Sequence, residues 1–100
     1  MRLNYNSNLL GFKSEIIRWN PRYSDIELKV FYEIDPNTDL EYISAHDLDI
    51  IAIVIKNCNK RLQSISSKNL NQLLYLIDQQ LDWDEIIRNE YDFRDNPYPH

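Results

Sequence analysis

Three features predict an α+β fold: an alternating apolar and polar run at 26–34, a change to helical periodicity from Ser44 onward, and a length of 100 residues that supplies one core rather than two. The expected architecture is a small antiparallel sheet from the N-terminal half packed against two longer helices and one short C-terminal helix. The chain reads as a single globular domain over 1–100, with 96–100 an extended tail.

Residues 9–19 admit two readings. Leu9, Phe12 and Ile16 fit a helix, whereas Gly11 and the short run from Glu15 to Trp19 fit strands, which are preferred. Asn20-Pro21 then interrupts the chain. Ile26, Leu28, Val30, Tyr32 and Ile34 alternate with Glu27, Lys29, Phe31 and Glu33, the period of a half-buried strand. Asp35-Pro36-Asn37-Thr38-Asp39 has turn composition, so Leu40 to Ile43 is expected to return as the second arm of a hairpin.

From Ser44 the pattern changes. Ser44 stands where a helix cap would, with Asp47 in the first turn, and Leu48, Ile51, Ala52, Ile55, Cys58 and Leu62 recur at helical spacing. The rival reading is a buried strand, since Ile50 to Ile55 is rich in β-branched residues; the continuation of the stripe to Leu62 favours a helix. A second helix starts near Ser67 on the stripe Leu70, Leu73, Leu74, Ile77 and Leu81. Asp82 and Glu85 stand at capping-box spacing and open a short helix over 83–91. Two prolines in 96–100 give the extended tail.

Charge is distributed in blocks. Residues 30–55 carry six acids and no base, 56–77 four bases and no acid, and 78–95 seven acids against two bases. The last block, DQQLDWDEIIRNEYDFRD, also holds Trp83, Tyr91 and Phe93. A nucleic-acid reader interleaves aromatics with bases, whereas here they stand among carboxylates, so direct nucleic-acid binding is disfavoured. The single cysteine cannot form an internal disulfide, and the longest apolar run is Ile50 to Ile55, against about 20 residues for a membrane span. The expected setting is cytoplasmic, with no membrane association.

Chemistry has little foothold. If Cys58 and His46 shared one helix they would stand about 18 Å apart, too far for a dyad, and Cys58 on the apolar stripe reads as a small core residue. Glu27-Leu28-Lys29, with Glu15 upstream, has the Glu-x-Lys form of a metal-dependent nuclease half-site, but it is also simply the polar face of an alternating strand. Glu33, Asp35, Asp39 and Glu41 lack the order of a calcium loop and read as a solvated turn. One glycine excludes glycine-rich phosphate loops and nucleophile elbows. A non-enzymatic protein is expected, with no cofactor and no metal.

The acidic C-terminal block remains. Asp82, Asp84 and Glu85 have a sufficient explanation as helix caps and dipole partners. Aromatics flanked by carboxylates have the composition of an interface that recruits a basic partner and holds it by desolvated anchors. The expected partner-binding residues are Asp82, Trp83, Asp84, Glu85, Glu90, Tyr91, Asp92, Phe93 and Asp95, with Asp35, Asp39 and Glu41 as companions.

On Asp82-Trp83-Asp84-Glu85 and Tyr91-Asp92-Phe93-Arg94-Asp95, and on its size and acidity, the chain resembles the small immunity proteins with which bacteria neutralise their own toxins in bacteriocin and contact-dependent inhibition systems. The resemblance is one of character, and the Asp-Ser-Pro junction of the inhibitors of DNase colicins is absent. It implies a basic toxin domain, often a nuclease, as partner. The alternative expectation is a small regulatory or adaptor subunit acting by homo- or hetero-oligomerisation.

Overall fold

The computed structural model describes residues 9, 11–19 and 26–95, the side chain of residue 95 excepted. Among these residues four strands, β1 (Lys13–Trp19), β2 (Ile26–Ile34), β3 (Leu48–Ile55) and β4 (Lys60–Arg61), form an antiparallel sheet in the order β1-β2-β3-β4. Two helices follow, α1 (Ser67–Gln80) and α2 (Trp83–Asp95). The fold is therefore α+β with an antiparallel sheet from the N-terminal part and helices after it. Among the described residues, no helix is long and apolar enough to cross a membrane.

The helices cover one face of the sheet. Ile17 pairs with Leu28 and Val30 with Ile53 in register, and these four join Leu73, Leu74 and Ile77 of α1 in the buried core. Strict alternation along β1 and β2 puts Lys13, Glu15, Ile17 and Trp19 on this side with Leu28, Val30 and Tyr32. Ser14, Ile16, Arg18, Glu27, Lys29, Phe31 and Glu33 fall on the other.

Residues 44–62, expected as a helix, are instead a short 3-10 turn (Ala45–Asp47) followed by β3 and β4. The Ser44 and Asp47 signal is real, because the Ser44 N–H donates to Asp47 Oδ2 at 2.9 Å, but it closes one turn only. What hides the strand is a β-bulge. Phe31 pairs with Ala52 whereas Tyr32 pairs with Ile50, leaving Ile51 as an extra residue. Leu48, Ile50, Ile53 and Ile55 thus share the helix-facing side by register, a spacing that breaks the period of two. Ala52, opposite Phe31 on the other face, is fully buried too, so the strand is apolar on both sides.

Other boundaries shift with it. The return arm of the hairpin is β3 and not residues 40–43; Leu40–Tyr42 is a 3-10 turn capped by Asp39, whose Oδ1 accepts the Glu41 N–H at 3.1 Å. Cys58, expected in the core, is exposed in the turn between β3 and β4. Asn59 closes that turn at φ 53°, a left-handed conformation that asparagine tolerates. In α1 the cap is Ser66, which accepts the Asn69 N–H at 3.2 Å. The last helix is not short: at 13 residues it nearly matches α1, and it carries Tyr91 and Phe93 within it instead of ending at 91. The turn at 20–21 and the tail at 96–100 lie outside the described residues.

Candidate functional site: an acidic and aromatic cleft at the end of α2

Helix α2 begins at Asp82, whose Oδ1 accepts the Glu85 N–H at 3.2 Å, and Asp84 and Glu85 complement the dipole in its first turn. Its inner line runs through Trp83, Ile86, Glu90 and Arg94, residues three or four apart. Trp83 is half-buried against the core and donates Nε1–H to the Asp78 carbonyl at 3.2 Å; Ile86 is buried. Trp83 therefore serves packing, not an open surface.

Glu90 is the buried charged residue of the described chain, 4% exposed. Two cations hold it. Lys13 Nζ lies 2.6 Å from Oε2, and Arg94 Nε lies 3.4 Å from Oε1. Arg94 in turn donates from Nη1 to the Thr38 carbonyl and from Nη2 to the Asp35 carbonyl, both at 3.1 Å. The end of α2 is thereby tied both to the start of β1 and to the 35–39 turn, which is itself closed by the Thr38 N–H to Asp35 C=O bond and by Asn37 N–H to Asp35 Oδ1.

This tie frames a cleft of about 590 Å³ lined by Gly11, Phe12, Lys13, Tyr32, Glu33, Ile34, Asp35, Pro36, Asp49, Glu90 and Phe93. Its walls combine three aromatic rings with carboxylates. Glu33 and Asp49, which line it from β2 and β3, stand directly opposite each other as a like-charged cross-strand pair on the sheet face away from the helices, and neither is ion-paired among the described residues. Lys13 illustrates what the cleft does with a cation: its ammonium sits between the Glu90 carboxylate and the Phe93 ring, 6.0 Å from the ring centroid. Phe93 remains 65% exposed and Tyr91 44%, with Asp92 exposed between them.

A second group of acids lies at the other end of α2. Burial, and then the charges of Glu85 and Asp82, push the Glu15 carboxyl above its usual range. Tyr32 is pushed up to about 12, first by burial and then by Glu15 and Glu90. It is a neutral wall residue at ordinary pH.

The expected binding residues thus separate. Phe93, Glu90 and Asp35 come together at the cleft, Glu90 as its buried anchor. Asp82, Asp84 and Glu85 gather near Glu15 instead, Tyr91 and Asp92 lie on the exposed side of α2, and Asp95 ends the helix. Asp39 caps its own 3-10 turn, with Glu41 exposed beside it. Phe12, Tyr32, Glu33 and Asp49 were missed as site residues. Both Glu33 and Asp49 had a signal as the ends of the acidic block within 30–55, but their pairing had none while the segment of Asp49 was read as helix.

The other chemistry is dispersed. Glu15 faces the helices while Glu27 and Lys29 lie on the opposite side of the sheet, and Glu27 pairs with Lys56 at 3.3 Å. His46 and Cys58 lie in turns at opposite ends of β3, whose eight residues span about 26 Å. In comparisons with protein-family models, curated proteins and solved structures, the chain has no significant match.

Proposed function

We propose that this chain is a non-enzymatic immunity protein that binds and neutralises a basic toxin domain, of the nuclease kind, in the cytoplasm. The observation that carries this reading is the cleft at the end of α2, where exposed Phe93 stands beside Glu90, with Glu33 and Asp49, not ion-paired among the described residues, at the same end of the sheet on its other face. Two like charges in register cost stability, and a cation from a partner removes that cost. The surrounding acids raise the encounter rate with a basic surface, and Phe93 and Tyr91 supply apolar area to desolvate once contact is made.

The test is capture of a basic protein from the native strain on the immobilised chain, followed by association kinetics with the captured partner. The association rate is expected to fall steeply with added salt, and Phe93→Ala or the pair Glu33→Gln with Asp49→Asn to weaken binding by about tenfold or more. A salt-independent rate, or variants that bind as the parent does, would overturn the reading.

One observation favours the adaptor alternative. On the sheet face that no described element covers, Ile16 is 40% exposed and diagonal to half-buried Phe31, with Val54 beyond Lys29, a partly apolar face suited to a second copy. Sedimentation of the isolated chain separates the two readings, since a tight homodimer with Ile16 protected supports the adaptor.

A further inference from the structure

Strand β1 forms one edge of the sheet. Arg18 reveals which of its backbone groups point outward, because its N–H donates to Gln80 Oε1 and its carbonyl accepts from Gln80 Nε2, both at 2.8 Å. In a regular antiparallel ladder alternate residues share that direction, so the N–H and C=O of Ser14 and Ile16 face outward as well. The Gln80 carboxamide is chemically a peptide group, and it binds Arg18 in the two-point manner of a neighbouring strand. Among the described residues nothing holds Ser14 or Ile16 in this way.

Next to this open stretch lies a groove of about 270 Å³ between β1 and α2, lined by Ser14, Glu15, Glu85, Ile86 and Asn89 among others. A strand added at the edge directs alternate side chains toward the helix side of the sheet, which is where the groove lies. Its carboxylates, Glu15 and Glu85, already repel each other, and the nearby Lys13 is engaged by Glu90.

We infer that the edge of β1 at Ser14 and Ile16 accepts an extended segment of a basic partner as an added strand, with a lysine or arginine of that segment seated in the groove against Glu15 and Glu85. The inference rests on the reading of a basic partner and specifies how that partner is held. Gln80, occupying Arg18, sets where the added strand stops. A second copy is the poorer occupant, since it brings another Glu15 and Glu85 toward the same carboxylates.

The test uses the full chain and three short end-blocked peptides: alternating lysine and threonine, the same peptide N-methylated at alternate residues along one edge, and alternating glutamate and threonine. Amide hydrogen exchange at Ser14 and Ile16 is the readout. The lysine peptide is expected to slow both amides by about tenfold or more, while the N-methylated and glutamate peptides leave them unchanged. Ile16→Pro removes one outward N–H without touching the β1–β2 ladder and should abolish the protection at Ser14, the outward amide that remains to be read; the N-methylated peptide gives the same answer without a variant that has to fold. Binding of the lysine peptide with protection confined to α2 and the 35–39 turn would overturn strand addition while leaving the basic-partner reading intact. Amides protected in the free chain, or protected equally by the glutamate peptide, would also overturn it.

Discussion

Glu90 shows how one residue is decided by its surroundings. In sequence it is one more acid in an acidic block, yet in the fold it is buried and shared by Lys13 and Arg94. Removing it leaves those cations without their common anion and loosens the tie to the 35–39 turn. Glu90→Ala is therefore expected to cost about 2 kcal/mol in denaturant unfolding, less than a fully buried pair because Lys13 is partly exposed, whereas exposed Asp92→Ala should change stability by no more than about 0.5 kcal/mol. Glu15 makes the opposite demand. Its carboxyl titrates above the ordinary 4.5, so the folded state favours the protonated form. The stability this group contributes is present below the unfolded value and lost as pH rises through the raised one. Glu15→Gln should thus melt higher than the parent at pH 7, with the difference closing as pH falls below about 4.5. An equal difference at every pH would rule out this linkage.

At the scale of elements, the helices were the legible part. The stripe through Leu70, Leu73, Leu74 and Ile77 and the cap formed by Asp82 and Glu85 are local signals, read correctly because a helix satisfies its own backbone within a few residues. The Ser66 cap was missed, and the Ser44 signal closes one turn where a longer helix was expected. Loss of either cap, by Ser66→Ala or Asp82→Ala, should lower stability by about 1 kcal/mol, and the two should add because they serve different helices. Denaturant midpoints at unchanged m value check this. Strand β2 was equally legible from its alternation. Strand β3 was not, for a specific reason: it is apolar on both faces, and the bulge at Ile51 shifts its phase midway, so Leu48, Ile51, Ala52 and Ile55 imitate a helical stripe. Six apolar residues in a row are ambiguous between helix and strand, and the bulge removes the period that would separate them.

At the scale of the whole molecule, the helices cover one face of the sheet and no described element covers the other, and adjacent isoleucines report the difference. Ile17→Ala, fully buried, should cost about 3 kcal/mol, while Ile16→Ala on the open face should stay below about 1 kcal/mol. Comparable losses would mean that something covers the second face. The cleft belongs to this scale too, because its walls come from β1, β2, β3 and α2. The sequence by itself determined the α+β class, the place of both helices and the Asp82 cap of the second, the strand at 26–34, and the concentration of acid and aromatic residues toward the C-terminus, all consequences of local periodicity and composition. Only the tertiary structure decided that Glu90 is an internal anchor, that Trp83 is packing, that Glu33 meets Asp49 across two strands, and that Phe93 lines the cleft beside Glu90. Those outcomes depend on strand register and helix placement, which are set by contacts between residues far apart in the chain and leave no local trace.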